Sequence, residues 1–350
     1  MAKLAVIISP NYKDYAKKYL HDCLTSLRAQ TIKEFDLFLI DNETSLETCL
    51  FLQMAAPEAT VIPLETNEGF AGGNNAALKI VLANNYDYVF LINMDAVAKE
   101  TCLEELVKAA ETEPQAAAIQ VRLMLWPETE LINSLGNETH FLGFGYGKDY
   151  RQTFNNEKDG RLKKICYASG AGVLYRVTAL KQVGLFDEEL WMYNEEQDIC
   201  LSFWLSGWQT IIAPQAVVYH KYEFSRSIAK YYWMDRNRLI VMLKHYRLAT
   251  LILLAPAFIA AEFGLAFFAL LSGWFKEKLK VWQYFLKLAN WQHILTERKR
   301  IQANRKLSDR ALTSLFTADI LHQEVDDKRL KFVNPLFRFY WFLVRLIMWW

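Results

Sequence analysis

Short apolar runs alternate with helical patterns over the first 125 residues of this 350-residue chain, and this alternation limits the possible folds more than any other feature. The helical patterns cover residues 14–29, 46–55, 72–85 and 100–112. The apolar runs between them, which are typical of strands, are KLAVIIS, DLFLIDN, TVIPLE, YVFLINMD and AAIQVRLM. Such an order predicts an α/β fold with a mostly parallel central sheet flanked by helices on both faces.

Polar residues directly follow three of the predicted strands. Asn11, Asp41 and Asp95 each come just after an apolar run. In open parallel sheets, ligands bind at the carboxyl ends of the strands. We therefore expect these three side chains to line one crevice.

The run FLINMDA ends on an amide and a carboxylate two residues apart, Asn93 and Asp95. One interpretation is that Asp95 caps the next helix. The other is that both side chains face a cation, because Mg²⁺ and Mn²⁺ prefer oxygen ligands and are commonly held by one or two carboxylates plus substrate phosphates. The strand end alone does not decide between these interpretations.

A glycine-rich segment, TNEGFAGGNNAAL, covers residues 66–78 and leads into a predicted helix. Backbone amides at the start of a helix favour anions and polar ligands. The dinucleotide fingerprint G-x-G-x-x-G and the phosphate-binding Walker spacing are both absent from it. It is therefore either a glycine-rich turn or part of a binding site of another kind.

Three acids, Glu195, Glu196 and Asp198, cluster at the start of an apolar-periodic helix beside Trp191. Acids at this position stabilise a helix through its dipole. A carboxyl group partly shielded from water by aromatic rings can instead have a raised pKa and act as a general base. His220, at the end of the strand-like AVVYH, is either structural or, beside the other groups, a metal ligand.

Taken in order, these segments resemble the family 2 glycosyltransferases with a GT-A fold, particularly their rhamnosyltransferase-like branch. The resemblance runs from about residue 4 to residue 246 and implies a GT-A domain over 1–246 with a Rossmann-like sheet. The blocks that carry it are VIISPNY, FLIDNETS, NEGFAGGNN, LINMDA, GLFDEELWMYNEEQDICLSFWLSGW and IIAPQAVVYH. It also implies an inverting enzyme that takes a sugar, with rhamnose among the candidates, from a dTDP- or UDP-linked donor.

The resemblance implies a role for each matched position. Asp95 would bind the Mg²⁺ or Mn²⁺ ion that bridges the donor diphosphate, and His220 would complete or steady that site. Glu196 stands where the family has its catalytic base, but Glu195 precedes it, so the assignment between the two stays open. Asn93 replaces the first aspartate of the family's DXD motif, which removes one negative charge. The residues expected to bind the nucleotide-sugar are Pro10, Asn11, Asp41, Asn67, Gly69, Asn74 and Asn93.

Charge and cysteine content exclude other classes of function. The net charge of +1 argues against a nucleic-acid-binding protein that relies on bulk electrostatics. The five cysteines are scattered without a C-x-x-C pair, so neither a disulfide framework nor a zinc site is expected. A reducing cytosol fits this pattern.

Residues 248–275 contain a single charge, Glu262, and are long enough to span a bilayer. Both flanks are basic, with ten Lys and Arg against three acids between 276 and 310, and the positive-inside rule disfavours moving either flank outside. Because Pro256 and residues 262–264 could break the stretch, we favour a re-entrant or in-plane hairpin at the cytoplasmic face over a single span. A buried core helix is a third interpretation. Arg338 and Arg345 make the last segment amphipathic and suited to a membrane interface.

Membrane association of a region 247–350 predicts a lipid-linked saccharide acceptor. Arg236 and Arg238 could contact its phosphate, unless they belong to a solvated basic face, and Trp191 is expected on the acceptor side. Two alternatives are a nucleotidyltransferase and a catalytically silent nucleotide-sugar-binding module. A nucleotidyltransferase would need a basic, glycine-rich signature near the N-terminus, and the segment SPNYKDYAKK lacks the glycines. The donor sugar, the acceptor, the linkage and the oligomeric state are not determined by the sequence.

Overall fold

The structure is a computed structural model that describes residues 2–221, 228–320 and 330–350. The described residues form two compact units. The first, which we call the sheet unit, falls within residues 1–137, 147–203 and 208–223. The second, the helical unit, takes its residues from 138–146, 204–207 and 224–350.

The sheet unit alternates strands and helices as the sequence predicts, and each helix expected within the first 125 residues is present. Its strands are β1 (Leu4–Tyr12), β2 (Asp36–Asn42), β3 (Thr60–Leu64), β4 (Tyr88–Ile92), β5 (Ala96–Ala98), β6 (Ala116–Leu125), β7 (Ile132–Ser134), β10 (Lys163–Lys164), β11 (Gly172–Arg176) and β12 (Gln209–His220). Its helices are α1 (Tyr15–Arg28), α2 (Leu46–Ala55), α3 (Gly69–Ala83), α4 (Cys102–Thr112), α5 (Asn156–Asp159), α6 (Val177–Val183) and α7 (Glu195–Leu205).

The strands of the main sheet follow the order β10-β12-β6-β11-β4-β1-β2-β3. Strands β3, β2, β1 and β4 are parallel, β11 runs antiparallel between β4 and β6, and β6 is again parallel to β12. The carboxyl ends of β1, β2, β4, β6 and β12 therefore share one edge of the sheet. The predicted α/β fold with a parallel-rich central sheet is confirmed.

Both faces of the sheet are covered by helices because successive residues of its strands point in opposite directions. In β1, Val6 and Ile8 pack into one core with α1 and α4, whereas Ala5 and Ile7 pack into the other core with α3. Burial of this kind explains why the strands read as continuous apolar runs rather than as alternating patterns.

The helical unit contains a small sheet and the C-terminal helices. Its strands are β8 (Asn137–His140), β9 (Gly145–Gly147) and β13 (Phe316–Thr317), and its helices are α8 (Ala229–His245), α9 (Leu248–Leu271), α10 (Phe275–Leu286), α11 (Leu288–Ala303), α12 (Asp309–Leu312) and α13 (Leu330–Ile347). Helix α8 lies in this unit, whereas the predicted division after residue 246 assigned it to the first domain. The division into functional domains stays a prediction.

Helix α9 is continuous over 24 residues, so the predicted break at Pro256 and residues 262–264 is wrong. A proline inside a helix removes one backbone hydrogen bond, and the helix resumes after it. The helix is long and apolar enough to cross a membrane by length and composition alone. Only 11% of its most apolar window is buried, which argues against the interpretation as a core helix.

Glu262, the one charge of the apolar stretch, joins a buried ion-pair cluster with Asp235, Arg238 and Lys278. Lys278 Nζ lies 2.7 Å from Asp235 Oδ2 and 2.6 Å from Glu262 Oε2. The Arg238 guanidinium contacts the same two carboxylates. Since two cations meet two anions, the cluster is neutral, and Glu262 is directed to the protein rather than to the exposed side of α9.

Replacing Glu262 by glutamine is expected to lower the free energy of unfolding by about 3–5 kcal/mol, because Arg238 and Lys278 then share one buried carboxylate. As the control, Glu58→Gln removes an exposed pair with Arg28, and such pairs are worth about 0–1 kcal/mol. Urea unfolding of both variants measures the difference. Equal losses would show that the cluster carries no special stability.

Candidate active site

The shared edge of the sheet brings the predicted residues together in pairs. Asn11, at the end of β1, donates from Nδ2 to Asp41 Oδ1 of β2 at 2.9 Å. Asp95 follows β4, and its Oδ1 lies 3.2 Å from Nε2 of His220 at the end of β12. The expected proximity is thus present for Asn11 and Asp41, and His220 lies beside Asp95. A single crevice that also includes Asp95 stays a prediction.

The Asp41 carboxylate is almost fully buried and has partners within the protein. Its Oδ2 accepts from the hydroxyls of Thr44 at 2.5 Å and Thr48 at 2.6 Å. Asn11 Oδ1 accepts from the backbone N–H of Ala16 at 2.8 Å. These contacts tie the ends of β1 and β2 to the helices that follow them. Binding of the nucleotide-sugar by Asp41 stays a prediction.

Asn42, which sequence reasoning missed, fastens the glycine-rich segment to the end of β2. Its Nδ2 donates to Asn67 Oδ1 at 2.9 Å and to Gly69 O at 3.1 Å, and its Oδ1 accepts from Glu68 N at 2.9 Å. The two segments with predicted nucleotide contacts are therefore joined directly. The signal was its place next to Asp41 at the same strand end.

Gly69, in the glycine-rich segment, packs against Trp191, which precedes the acidic cluster at the start of α7. Gly69 has φ +67°, and a Cβ built there would lie 2.4 Å from Trp191 O. Trp191 O also accepts from Ala71 N at 3.1 Å, while Trp191 Nε1 donates to Asn67 O at 3.2 Å. Residues expected on the donor side and on the acceptor side thus meet at this point.

The start of α3 also lies directly against Pro10. A Cβ at Gly73 would be 2.4 Å from Pro10 Cγ, so glycine is required there for the helix to approach the end of β1. Asn74, one residue later, is fully buried, and its Oδ1 has no hydrogen-bond partner among the described residues. Its Nδ2 donates to Phe70 O at 2.8 Å.

Gly69→Ala is expected to destabilise the protein by about 1–3 kcal/mol, because a left-handed φ and a backbone clash act together. Gly264→Ala is the matched control, since nothing lies within 4 Å of a Cβ there. Helix propensity predicts that the control is unchanged or more stable by about 0.5–1 kcal/mol. Thermal unfolding compares the two. A Gly69→Ala protein as stable as the control would contradict the close contact with Trp191.

Asp95 is buried and ionised. Burial by itself raises the pKa of this carboxyl group, but the hydrogen bond and charge of His220, together with a hydrogen bond from Tyr15, outweigh it and leave the pKa lowered. On its other side, His220 Nδ1 lies 3.0 Å from Asn133 Oδ1. Sequence reasoning missed Tyr15 and Asn133, which lie far from their partners in the chain and outside the recognised blocks.

The Asp95–His220 pair fits a Mg²⁺ or Mn²⁺ ion. It offers a carboxylate oxygen and an imidazole nitrogen, and Asn93 Oδ1 nearby in the chain is buried without a hydrogen-bond partner among the described residues. Within residues 2–221, 228–320 and 330–350, three or more His, Cys, Asp or Glu side chains do not converge on a metal site. An ion here would therefore take few protein ligands, as Mg²⁺ does when it is held largely by substrate phosphates and water.

The three acids at the start of α7 have different surroundings. Glu195 and Asp198 are buried, with exposed fractions of 3% and 4%, whereas Glu196 is half-buried. Glu195 Oε2 has no hydrogen-bond partner within the described part of the chain. Burial, followed by repulsion from Glu196, raises the pKa of Glu195 well above its usual range and favours its protonated form.

Glu196 faces the turn before β11. Its Oε1 accepts from Gly170 N at 3.0 Å, and a Cβ at Gly170 would lie only 2.8 Å from that oxygen. Burial raises the pKa of Glu196, although the Gly170 N–H partly offsets this effect. The next residue of the turn, Ala171, accepts from Asn93 N at 3.3 Å. One short turn therefore contacts both the end of β4, two residues before Asp95, and the acid with the best access to solvent.

Arg236 and Arg238 are buried in the helical unit, so the interpretation of these residues as a solvated basic face is wrong. Arg238 belongs to the ion-pair cluster with Glu262. The Arg236 guanidinium lies 4.6 Å from the ring centre of Trp233 and 4.9 Å from that of Tyr284. Their contact with a lipid phosphate stays a prediction, and it would require them to leave these partners.

Comparison with known proteins gives matches in sequence and in structure. The sequence profile described as Glycosyl transferase family 2 matches residues 6–184. The chain is 25% identical over 219 residues to the N-acetylglucosaminyl-diphospho-decaprenol L-rhamnosyltransferase of Mycobacterium tuberculosis. The matched segment covers 58% of this chain and 71% of that protein.

Two solved structures have the same fold. One is GalNAc-T7 with UDP, GalNAc and Mn²⁺, with a TM-score of 0.53 and 13% identity over 70% of this chain and 48% of that chain. The other is S. aureus TarS 1-349 in complex with UDP, with a TM-score of 0.51 and 16% identity over 98% of this chain and 88% of that chain. This chain thus spans about half the length of the GalNAc-T7 structure. At these identities the likeness shows the fold alone.

Proposed function

The chain belongs to glycosyl transferase family 2, and from this premise we propose that it is an inverting, metal-dependent enzyme that transfers a sugar to a hydroxyl group of a lipid-linked saccharide. It is a glycosyltransferase with a GT-A fold. The observation that best supports the finer proposal is the turn at residues 169–171, which contacts the β4 end through Asn93 and the half-buried Glu196.

The relatives support the choice of donor and acceptor. The M. tuberculosis relative is named as an L-rhamnosyltransferase for N-acetylglucosaminyl-diphospho-decaprenol, which is a lipid-linked saccharide. The two structural neighbours contain UDP. We propose a dTDP- or UDP-linked sugar as the donor, with rhamnose as the first candidate, and a role in the synthesis of a cell-surface polysaccharide.

Asp95 and His220 would hold Mg²⁺ or Mn²⁺, with the Asn93 amide oxygen beside them. When bound, such an ion neutralises negative charge that grows on the diphosphate leaving group. An ion bound here would replace the proton that Nε2 of His220 donates to Asp95, and donation of Nδ1–H to Asn133 Oδ1 would then leave the Nε2 lone pair directed at the ion. Asn133 is thus a positioning residue for the imidazole.

Glu196 acts as the base for the acceptor hydroxyl. Gly170 N–H orients its carboxylate, and a raised pKa makes it a stronger base than an ordinary glutamate. The hydroxyl proton passes to Glu196 while the oxygen bonds to the anomeric carbon and the bond to the nucleoside diphosphate breaks. Attack from the face opposite the leaving group inverts the configuration of that carbon.

We also propose that the helical unit binds the cytoplasmic face of the membrane. Large apolar side chains on α9 and α13 are exposed although they belong to long apolar helices, and an in-plane or inserted position would cover them. They include Ile252, Ile259, Phe263, Phe267, Leu336, Phe339, Phe342 and Leu346.

A thermal-shift screen of UDP-, dTDP- and GDP-linked sugars, with and without Mn²⁺, tests the donor and the metal together. We expect one nucleotide class to stabilise the protein, and only with Mn²⁺; a ligand at 100 times its Kd adds about 2.7 kcal/mol. The absence of stabilisation by every nucleotide-sugar with Mn²⁺ would contradict the proposal. Hydrolysis of the stabilising donor distinguishes an enzyme from a catalytically silent binding module.

A further inference from the structure

An open surface cavity of about 450 Å³ lies on the helical unit, and arginine and apolar side chains line it together. This volume is within the range of ~300–1,000 Å³ that is typical of ligand sites. The lining residues are Arg310, Ala318, Arg338, Trp341, Phe342, Arg345 and Leu346. The function proposed above does not use this cavity.

Two of the three arginines are held by carbonyl groups rather than by acids. An Nη1 donor of Arg310 binds Met348 O at 2.9 Å, and an Nη1 donor of Arg345 binds Thr313 O at 3.3 Å. Arg338 makes two bonds with Asp319, of 2.6 and 2.7 Å. Arg310 N also donates to the terminal carboxylate of Trp350 at 3.0 Å. Among the described residues, the cavity therefore has three guanidinium groups against two carboxylates, which leaves one positive charge.

Apolar side chains border this positive charge. Phe342 and Leu346 line the cavity with exposed fractions of 60% and 64%, and Phe339 and Ile347 extend the same exposed surface along α13. Helix α13 is itself anchored, since Tyr340 donates to Leu253 O and Trp341 packs against Phe141. A soluble anion would use the arginines but not the apolar border, whereas a lipid with a charged head group would use both.

We propose that this cavity binds the phosphate of an anionic membrane phospholipid, with Arg310 and Arg345 on the phosphate oxygens and the acyl chains along Phe342 and Leu346. Arginine suits this task because its planar fork matches phosphate geometry. The inference rests on the proposed membrane association and adds to it a defined site with a lipid preference.

Flotation of the full-length protein with vesicles tests the site, using phosphatidylcholine alone and phosphatidylcholine with a minority of phosphatidylglycerol. We expect the wild-type protein to bind the anionic vesicles more tightly. Arg345→Gln and Arg310→Gln should each weaken that binding about fivefold, the effect of one cation at a membrane surface, and should leave binding to the neutral vesicles unchanged. Arg345→Lys, which keeps the charge but loses the fork, should lie between Arg345→Gln and wild type.

Arg161→Gln is the matched control, since Arg161 is exposed in the sheet unit. A loss equal to that of Arg345→Gln would overturn the site in favour of bulk charge. Equal wild-type binding to both vesicles, or complete competition by soluble glycerol phosphate, would also overturn it. If Arg310→Gln fails to fold, Arg345→Gln decides alone. Sugar transfer to a soluble acceptor, measured on the same variants, should be unchanged and tests the glycosyltransferase proposal separately.

Discussion

Glu196→Gln is expected to lower turnover by about 10²–10⁴-fold while donor binding stays intact, because the variant keeps the shape of the side chain and loses the base. Initial rates at saturating donor and acceptor measure the effect. The Mn²⁺-dependent thermal shift with the donor checks that the nucleotide site is preserved.

Glu195→Gln is the matched control for this prediction. Burial favours the protonated form of Glu195, so exchange for a neutral amide changes little of its charge. We expect a much smaller loss of turnover than for Glu196→Gln. A larger loss in the Glu195 variant would transfer the role of base to that residue.

The pH dependence of turnover is a second test of Glu196 as the base. The base must be ionised to accept a proton, so the rate rises with pH through the pKa of this group. Because burial raises that pKa, the acidic limb of the profile should lie above the usual range of a glutamate. The limb should disappear in Glu196→Gln.

Asp95→Asn should abolish the Mn²⁺-dependent part of donor binding and lower transfer by at least ~100-fold. Loss of a residue that only supports a metal ligand costs up to ~100-fold, and Asp95 is proposed to be a ligand itself. The physical reason is charge. Asn93 is already neutral, so Asp95 is the one anionic side chain at the end of β4. Thermal shifts with donor over a Mn²⁺ titration measure the loss.

Asn93→Asp is the opposite control. It restores a second carboxylate two residues from Asp95, and we expect tighter Mn²⁺ binding than in the wild-type protein. An Asp95→Asn variant that keeps its Mn²⁺ dependence, or an Asn93→Asp variant with unchanged Mn²⁺ affinity, would contradict a metal ion at this strand end.

The sheet and the position of the candidate site residues at its edge were predictable because they depend on local order. Alternating strands and helices produce parallel strands whose carboxyl ends share one edge, so Asn11, Asp41 and Asp95 had to lie there. The supporting contacts depend on residues distant in the chain. Asn133 is 87 positions from His220, and Asn42 is 25 positions from Asn67. The place of Asn42 next to Asp41 marked it as a candidate, but a single sequence does not identify the distant partner of either asparagine.

The separate roles of the two adjacent glutamates also needed the structure. Neighbours on a helix differ by about 100° in direction, so the two side chains have different surroundings. The sequence shows the cluster but not the orientation of the helix. Contact with Gly170 fixes it and leaves Glu196 half-buried.

Two expectations drawn from local sequence were wrong. Pro256 suggested a break, yet α9 is continuous. The basic residues around Arg238 suggested a solvated face, yet Arg238 is buried with Glu262, 24 positions later. The lone acid in an apolar stretch was the available clue, because a charge in such a place needs a partner.

Anomalous scattering from crystals grown with Mn²⁺ and the nucleoside diphosphate chosen by the screen tests the central claim most directly. We predict a manganese peak bonded to the Asp95 carboxylate beside His220 Nε2 and in contact with the diphosphate, on the side of the site that holds Glu196. A bound nucleotide with its manganese peak on other residues would contradict the assignment of Asp95 and His220 as the metal site.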